Sequence, residues 1–182
     1  MPMVAESPAL VIPTGTWTID PSWSALEFEV RKLGLVTIKG RVPGFSGTIH
    51  GAEGTINGVV DATSITTFDA DRDAHLQSPE FFDTQRYPEL TFASTSVELD
   101  GDELVVSGDL TIKGVSKPVA LRGELSGPEN DPWGGERIGL ALETTIDRTD
   151  FGLEWNAPLP GGGFLLPNEV VLRANFAATR SA

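Results

Sequence analysis

Apolar and polar residues alternate with a period of two along most of this chain. The clearest run extends from Ile138 to Ile146, with Leu140 and Leu142 on one parity and Glu143 on the other. Comparable runs lie at residues 26–30, 56–62, 90–94, 104–112, 119–125 and 170–176. Side chains of a β-strand point alternately to opposite faces, so this pattern is typical of strands with one buried and one wet face. The sequence therefore predicts an all-β protein.

Turn signals separate these runs at intervals that suit β-hairpins. They are Asp100-Gly101, Gly114, the Lys117-Pro118 pair, and the segment from Gly127-Pro128 to Gly134-Gly135. Short connections of this kind favour antiparallel neighbours over helical crossovers. We therefore expect an antiparallel β-barrel of about eight strands.

One segment, at about residues 70–85, departs from the alternation. Asp69 or Asp71 can cap a helical turn, and Ser78-Pro79 is a good helix start with proline at the first helical position. The segment therefore predicts one or two short helices. The apolar residues that we expect to turn toward the barrel are Leu76, Phe81 and Phe82.

The length of 182 residues suits one domain that can bury a core without disulfides or metals. We assign residues 1–15 to an extended N-terminal arm and residues 16–182 to a single barrel domain. The absence of cysteine excludes a disulfide framework, thiol catalysis and thiolate metal sites.

The formal net charge is −13, which disfavours binding to nucleic acid or to an anionic membrane surface. No run approaches the roughly 20 apolar residues of a membrane-spanning helix, so we expect no integral membrane segment. The N-terminal residues have no basic residue and no continuous apolar run of the kind that secretory signals carry. We therefore expect a cytoplasmic protein with an apolar or amphiphilic small-molecule partner and no nucleic acid partner.

Few residues suit catalysis or metal binding. The only histidines, His50 and His75, are far apart in sequence, and no Gly-x-Ser-x-Gly motif is present. We therefore expect no metal and no catalytic residues.

The densest polar cluster, which includes Arg72, Asp73 and His75, has two interpretations. Its side chains either contact a ligand's polar head group at the barrel mouth or form helix caps and ion pairs.

The inward parity carries many small residues: Gly58, Ala62, Ser94, Gly108, Gly123 and Ala174. A barrel of about eight strands either fills its interior with side chains or holds one small ligand. Small residues favour the hollow interior, although large residues opposite them can fill the same space.

The loop from Trp155 to Leu166 is unusually apolar, with Leu159, Phe164 and Leu165. It is either a lid or portal, or a surface that packs outside the barrel or in a homodimer.

Three longer strings point to a family. They are RDAHLQSPEFFD at residues 72–83, YPELTF at 87–92 and GDLTIKGVSKPV at 108–119. In these strings, and over roughly residues 17–176, the chain resembles the YceI-like family of bacterial polyisoprenoid-binding proteins. Trp23 and Lys32 stand where relatives often have histidine. The resemblance implies an extended lipocalin-like barrel whose interior holds a polyisoprenoid or a similar amphiphile.

Our interpretation is a protein that binds, stores or transports a polyisoprenoid, an isoprenoid quinone or a similar long-chain lipid. It requires no cofactor beyond such a lipid and catalyses no reaction. One alternative is an enzyme that acts on an apolar substrate with Arg72, Asp73 and His75 at the barrel mouth. Another is an interaction module with a filled interior. The residues that strand parity predicts to contact the lipid are Phe28, Val30, Phe45, Ile49, Val60, Ile65, Phe82, Phe92, Leu110, Ile112, Leu121, Leu140, Leu142, Ile146, Leu172 and Phe176.

Overall fold

The computed structural model describes residues 11–181, and residues 1–10 of the predicted arm lie outside it. The described residues form an antiparallel sheet of ten strands and one α-helix, with three single 3-10 turns at Pro21–Trp23, Ala62–Ser64 and Arg148–Phe151. The elements are β1 (Thr16–Ile19), β2 (Ala25–Lys32), β3 (Val36–Arg41), β4 (Phe45–His50), β5 (Thr55–Asp61), α1 (Ala70–Gln77), β6 (Glu89–Asp100), β7 (Glu103–Ile112), β8 (Val115–Asn130), β9 (Glu136–Asp147) and β10 (Glu169–Arg180). The predicted antiparallel β-barrel is confirmed.

Eight of these strands close into a ring. The order is β1, β4, β5, β6, β7, β8, β9 and β10, and β10 pairs back with β1. β10 changes partner along its length, because residues 178–180 pair with β1 while residues 171–175 pair with β2. β2 and β3 therefore form a hairpin that extends the sheet at one end only.

The two ends of the barrel differ as a result. We call the end that holds β1 and β4 the closed end. The opposite end, which holds α1 and the loop at residues 153–168, is the open end. At the open end, one edge of β3 pairs with β2. Among the described residues, its other edge makes a single bridge, between Arg41 and Thr66.

Large apolar side chains fill the closed end. Trp17 is completely buried, and its indole Nε1 donates a hydrogen bond to the Pro13 carbonyl at 2.9 Å. Ile12 is also buried and belongs to the same core cluster. Residues 11–15 were predicted as part of an extended arm, but they carry the chain into this core. The described part of the predicted arm is therefore a component of the barrel.

The helical segment is shorter than the sequence predicted. α1 begins after Asp69, whose carboxylate accepts a hydrogen bond from the Arg72 N–H at 3.1 Å. A second helix does not start at Ser78-Pro79. The Ser78 hydroxyl instead donates to the His75 carbonyl at 2.6 Å, so it ends α1 and caps no new helix. Turns follow at residues 79–82.

The hairpin between β7 and β8 turns at Lys113 and Gly114, where φ is +52° and +74°. Positive φ at both central residues is the signature of a type I′ hairpin turn. The turn predicted at Lys117-Pro118 is therefore wrong, because Pro118 lies within β8 opposite Asp109. Proline is tolerated there since β9 pairs with β8 only from Arg122 onward.

An arginine between two aspartates ties the connections at the closed end together. Arg137 contacts Asp20 at 2.9 Å and Asp131 at 2.8 Å, and its guanidinium stacks 4.0 Å from the Trp23 ring centre. A hydrogen bond from Ser22 and one from Arg137 lower the pKa of Asp20. Hydrogen bonds from Arg137 and then from the Gly135 N–H lower the pKa of Asp131. Both carboxylates are therefore stabilised in their ionised form by folding.

We expect Arg137→Gln to lower the free energy of unfolding at neutral pH. The two aspartate pKa values lie below their ordinary value of 3.8 in the folded protein. Their stabilising contribution is therefore complete above 3.8 and is lost as the pH falls through the folded values. Urea denaturation of parent and variant at stepped pH should show the difference shrinking in acid.

The matched control is Arg122→Gln, because Arg122 pairs with Asp100 and Glu103 on the surface with half its side chain exposed. Exposed pairs contribute little, so this variant should differ from the parent much less at neutral pH. A stability loss in Arg137→Gln that stays constant below pH 3.8 would contradict the assigned role of the two carboxylates.

Candidate functional site

The barrel encloses a cavity of about 660 Å³. It occupies the interior between the filled closed end and the residues of the open end, and most of its wall is apolar. Cavities of roughly 300–1,000 Å³ are the usual size for small-molecule sites. The interior is therefore hollow over much of its length, which is the alternative that the small inward residues favoured.

Fifteen of the sixteen apolar residues predicted from strand parity lie in the cavity wall. The exception is Ile49, which is completely buried and pairs across the sheet with Trp17. Its parity is inward, but Trp17 and Ile12 fill the closed end at this level. The cavity therefore stops short of Ile49, which is buried in the core at the closed end and does not line the cavity.

Two of the predicted small residues, Gly58 and Ala174, line the cavity. Others do not leave free space. At Gly108 an ideal Cβ would lie 2.5 Å from the Ala93 carbonyl oxygen and 2.7 Å from the tip of the Phe92 ring. The remaining small residues, Ala62, Ser94 and Gly123, are also absent from the wall. The neighbouring strand therefore occupies the space that a side chain at Gly108 would need.

Two predicted polar residues of α1 reach the wall at the open end. Arg72 donates from Nε to the Thr67 hydroxyl at 2.6 Å and from Nη2 to the Thr67 carbonyl at 2.8 Å. His75 Nε2 lies 2.7 Å from a Glu80 carboxylate oxygen. The His75 ring also packs edge-on against Trp155, with the ring centres 4.6 Å apart. Both side chains are therefore held in place before any ligand binds.

Asp73 has a different position from its neighbours. It is absent from the cavity wall, and its carboxylate accepts hydrogen bonds from the Thr67 N–H at 2.7 Å, the Thr67 hydroxyl and the Thr66 hydroxyl. Burial raises the pKa of Asp73, but the hydrogen bonds from Thr67 and Thr66 outweigh it, so the pKa lies below its ordinary value. Asp73 therefore fixes the loop before α1. Because it does not line the cavity, the structure does not support the head-group contact predicted for it.

The apolar loop at residues 153–168 covers part of the open end. Trp155, Leu165 and Leu166 lie in the cavity wall, whereas Phe164 is largely exposed. Asn156 holds the loop closed, because its side chain donates to the Leu166 carbonyl at 2.7 Å and accepts from the Leu166 N–H at 2.9 Å. Part of the loop therefore forms the rim of the cavity.

Arg148 is a wall residue that was not among the predicted site residues. Its neighbour Asp147 caps the turn that follows, because its carboxylate accepts a hydrogen bond from the Thr149 N–H at 2.9 Å. Arg148 itself is buried in the cavity wall. The signal that could have found it is parity, because Arg148 follows Ile146 at the inward spacing.

Trp23 and Lys32, the two residues that depart from the family pattern, lie in different parts of the structure. Lys32 lies in the cavity wall, whereas Trp23 is half exposed at the closed end. Only the lysine substitution therefore bears on the cavity.

Within the part of the chain that the structure describes, no helix has the length and apolar character needed to cross a bilayer. The same residues contain no group of three His, Cys, Asp or Glu side chains placed as metal ligands would be.

The YceI-like domain family model matches residues 17–178. Protein YceI of Escherichia coli O157:H7 is 42% identical over 134 residues, which cover 71% of this chain and 70% of that protein. The Campylobacter jejuni YCEI protein is 26% identical, with a TM-score of 0.69 over 81% of this chain and 88% of its own. A polyisoprenoid binding domain from Saccharophagus degradans is 21% identical, with a TM-score of 0.68 over 91% of this chain and 98% of its own. The resemblance in the sequence is thus confirmed, and this chain belongs to the YceI-like family.

Proposed function

We propose that this protein binds a long-chain amphiphilic lipid in the barrel interior and stores or transports it without catalysing a reaction. The candidate ligands are a polyisoprenoid, an isoprenoid quinone and a fatty-acyl compound. The observation that carries the proposal is the cavity of about 660 Å³ with a mainly apolar wall. The Saccharophagus degradans neighbour, a polyisoprenoid binding domain, has the same fold and agrees with it.

An apolar tail alone can supply the affinity. Burying about ten methylene groups contributes roughly 8 kcal/mol at about 0.8 kcal/mol per group. A free energy of roughly 8 kcal/mol corresponds to a Kd of about 1 μM, before the cost of ordering the tail is subtracted. Tail binding therefore needs no charged contact, and it discriminates poorly between tails of similar length.

The polar residues of the wall indicate how the ligand is oriented. Lys32, Arg72 and His75 lie on the wall at the open end together with the acidic residues Asp69 and Asp71, whereas the closed end is filled by Trp17 and its neighbours. A head group that stays hydrated is stabilised at the open end, where polar side chains and solvent meet it. We propose that the tail points toward Trp17 and the head group lies near α1.

The direct test uses protein purified from its own host. Native mass spectrometry should show one long-chain lipid per chain, and organic extraction should release it for identification. Saturable uptake of oleic acid, farnesol or a long-chain quinone by delipidated protein is the second readout. Absence of a bound lipid, together with failure to take up all three probes, would overturn the proposal.

Gly58→Leu tests whether the cavity itself is the site. A Cβ at Gly58 would meet only the Ser46 carbonyl, at an ordinary 3.5 Å, so the backbone accepts a side chain that extends into the cavity. A ligand that loses two or three buried methylene groups loses about 2 kcal/mol, so we expect binding to weaken about tenfold or more. Titration with a fluorescent long-chain probe measures this change.

The control is Val59→Leu, at the adjacent residue, whose side chain is exposed on the outer face. It enlarges an apolar side chain by one methylene group outside the barrel and should leave binding unchanged. Equal binding by the parent and both variants would place the ligand outside this cavity.

The enzyme alternative keeps one supporting observation, which is that Arg72 and His75 share the wall of the apolar cavity. Against it, Asp73 is hydrogen-bonded to Thr66 and Thr67 away from that wall.

We expect the parent protein to hydrolyse no long-chain ester or amide. We expect His75→Ala to keep tail binding within about threefold, roughly 0.7 kcal/mol. Turnover by the parent that disappears in His75→Ala would establish the enzyme instead.

A further inference from the structure

Arg148 is the only fully buried basic residue among residues 11–181, with 4% of its surface exposed, and it lies in the cavity wall. Its Nε donates to the Pro167 carbonyl at 2.8 Å. Its Nη1 donates to the carbonyls of Trp155 at 2.9 Å and Leu153 at 2.5 Å. These bonds use Nε and Nη1, and within the described residues Nη2 donates to no protein atom.

The positive charge of Arg148 has no acidic partner within the described part of the chain. Arg148 takes part in none of the ion pairs there. The neighbouring carboxylate of Asp147 accepts instead from the Thr149 N–H and hydroxyl. Burial lowers the pKa of the Arg148 guanidinium, and Asp147 offsets this only in part. The groups that accept hydrogen bonds from Arg148 are all carbonyls, so this buried charge lacks the paired carboxylate that proteins normally provide.

Arg148 belongs to the end of the cavity where the proposed head group lies. The Trp155 carbonyl accepts its hydrogen bond, and the Trp155 ring packs against His75. Leu166, on the other side of the same loop, also lines the cavity. A ligand whose tail fills the barrel therefore places its head group within reach of this part of the wall.

We propose that Nη2 of Arg148 binds an anionic oxygen of the lipid head group, a carboxylate or a phosphate, and so makes the protein selective for acidic lipids. This inference rests on the proposed lipid-binding function and deepens it. A guanidinium presents its N–H groups in a planar fork that matches carboxylate and phosphate oxygens. An anion would also supply the missing negative charge, which a neutral alcohol or quinone carbonyl does not.

The experiment compares ligands that share a tail and differ in the head group. The two pairs are hexadecanoic acid with hexadecanol, and farnesyl phosphate with farnesol, each competing against a fluorescent long-chain probe. We expect the parent to bind at least one anionic member about tenfold or more tightly than its alcohol, as charge-assisted hydrogen bonds allow. The two pairs distinguish a carboxylate head group from a phosphate.

Arg148→Met should bring the ratio of the two affinities close to one. Arg122→Met, at a surface arginine outside the cavity wall, should keep the ratio of the parent. The ratio is the decisive measurement, because Arg148 also donates hydrogen bonds to three loop carbonyls. Loss of a purely structural role would weaken the binding of acid and alcohol alike and leave the ratio unchanged. An unchanged ratio in Arg148→Met, or a ratio that Arg122→Met abolishes as well, overturns the inference.

A crystal structure of the parent with hexadecanoic acid keeps the inference testable if Arg148→Met does not fold. The carboxylate should lie within hydrogen-bond distance of Arg148 Nη2, and a carboxylate elsewhere would overturn the assignment. The two proposals fail in different ways. If no acid or alcohol binds, the proposed function fails, whereas equal binding of both by the parent removes only the role of Arg148.

Discussion

The burial of Trp17 at one end of the barrel determines what the rest of the interior can be. Its indole is completely enclosed and hydrogen-bonded to Pro13, and Ile12 and Ile49 pack into the same cluster. This cluster closes one end with apolar side chains, so the interior that remains can open only at the other end. Protein interiors are normally close-packed, whereas this barrel, in which eight strands close into a ring, encloses a void of about 660 Å³.

The change of partner along β10 produces the opposite end. Where β10 leaves β1 and pairs with β2, the β2–β3 hairpin joins the sheet, and β3 contacts the next part of the chain only at the bridge from Arg41 to Thr66. α1 and the 153–168 loop complete the wall there, held by local hydrogen bonds from Asp73 and Asn156. The open end thus combines short-range hydrogen bonds with a few long-range contacts such as that of His75 with Trp155, whereas long-range packing fills the closed end. Local contacts of this kind open more easily than a packed core, which suits the end through which a ligand must pass.

Strand parity was sufficient to predict the barrel and to place fifteen of sixteen chosen apolar residues in the cavity wall, because a period of two assigns each side chain to one face. It could not predict where the cavity ends, since Ile49 has inward parity but meets Trp17 from a distant strand. It also could not show that Asp73 is engaged by Thr66 and Thr67, because the path of that loop depends on α1. Parity places Arg148 on the inner face, but it could not show how a buried arginine is accommodated there. The carbonyls that accept its hydrogen bonds lie in the 153–168 loop, whose fold around Asn156 has no periodic signal in the sequence.

The net charge of the protein affects the approach of the proposed ligand, whereas burial in the cavity affects the free energy of binding. The net charge of −13 opposes the approach of an anionic lipid through solvent, but salt screens exposed charges beyond about 8 Å at physiological ionic strength. Arg148 lies in an apolar wall, where screening is weaker and the same charge interacts more strongly. A long tail contributes free energy in proportion to its buried area whatever its head group carries. In the proposed function, tail length therefore sets how tightly a lipid is held, and Arg148, the one buried cation in the described wall, is the group proposed to discriminate between lipids of equal length.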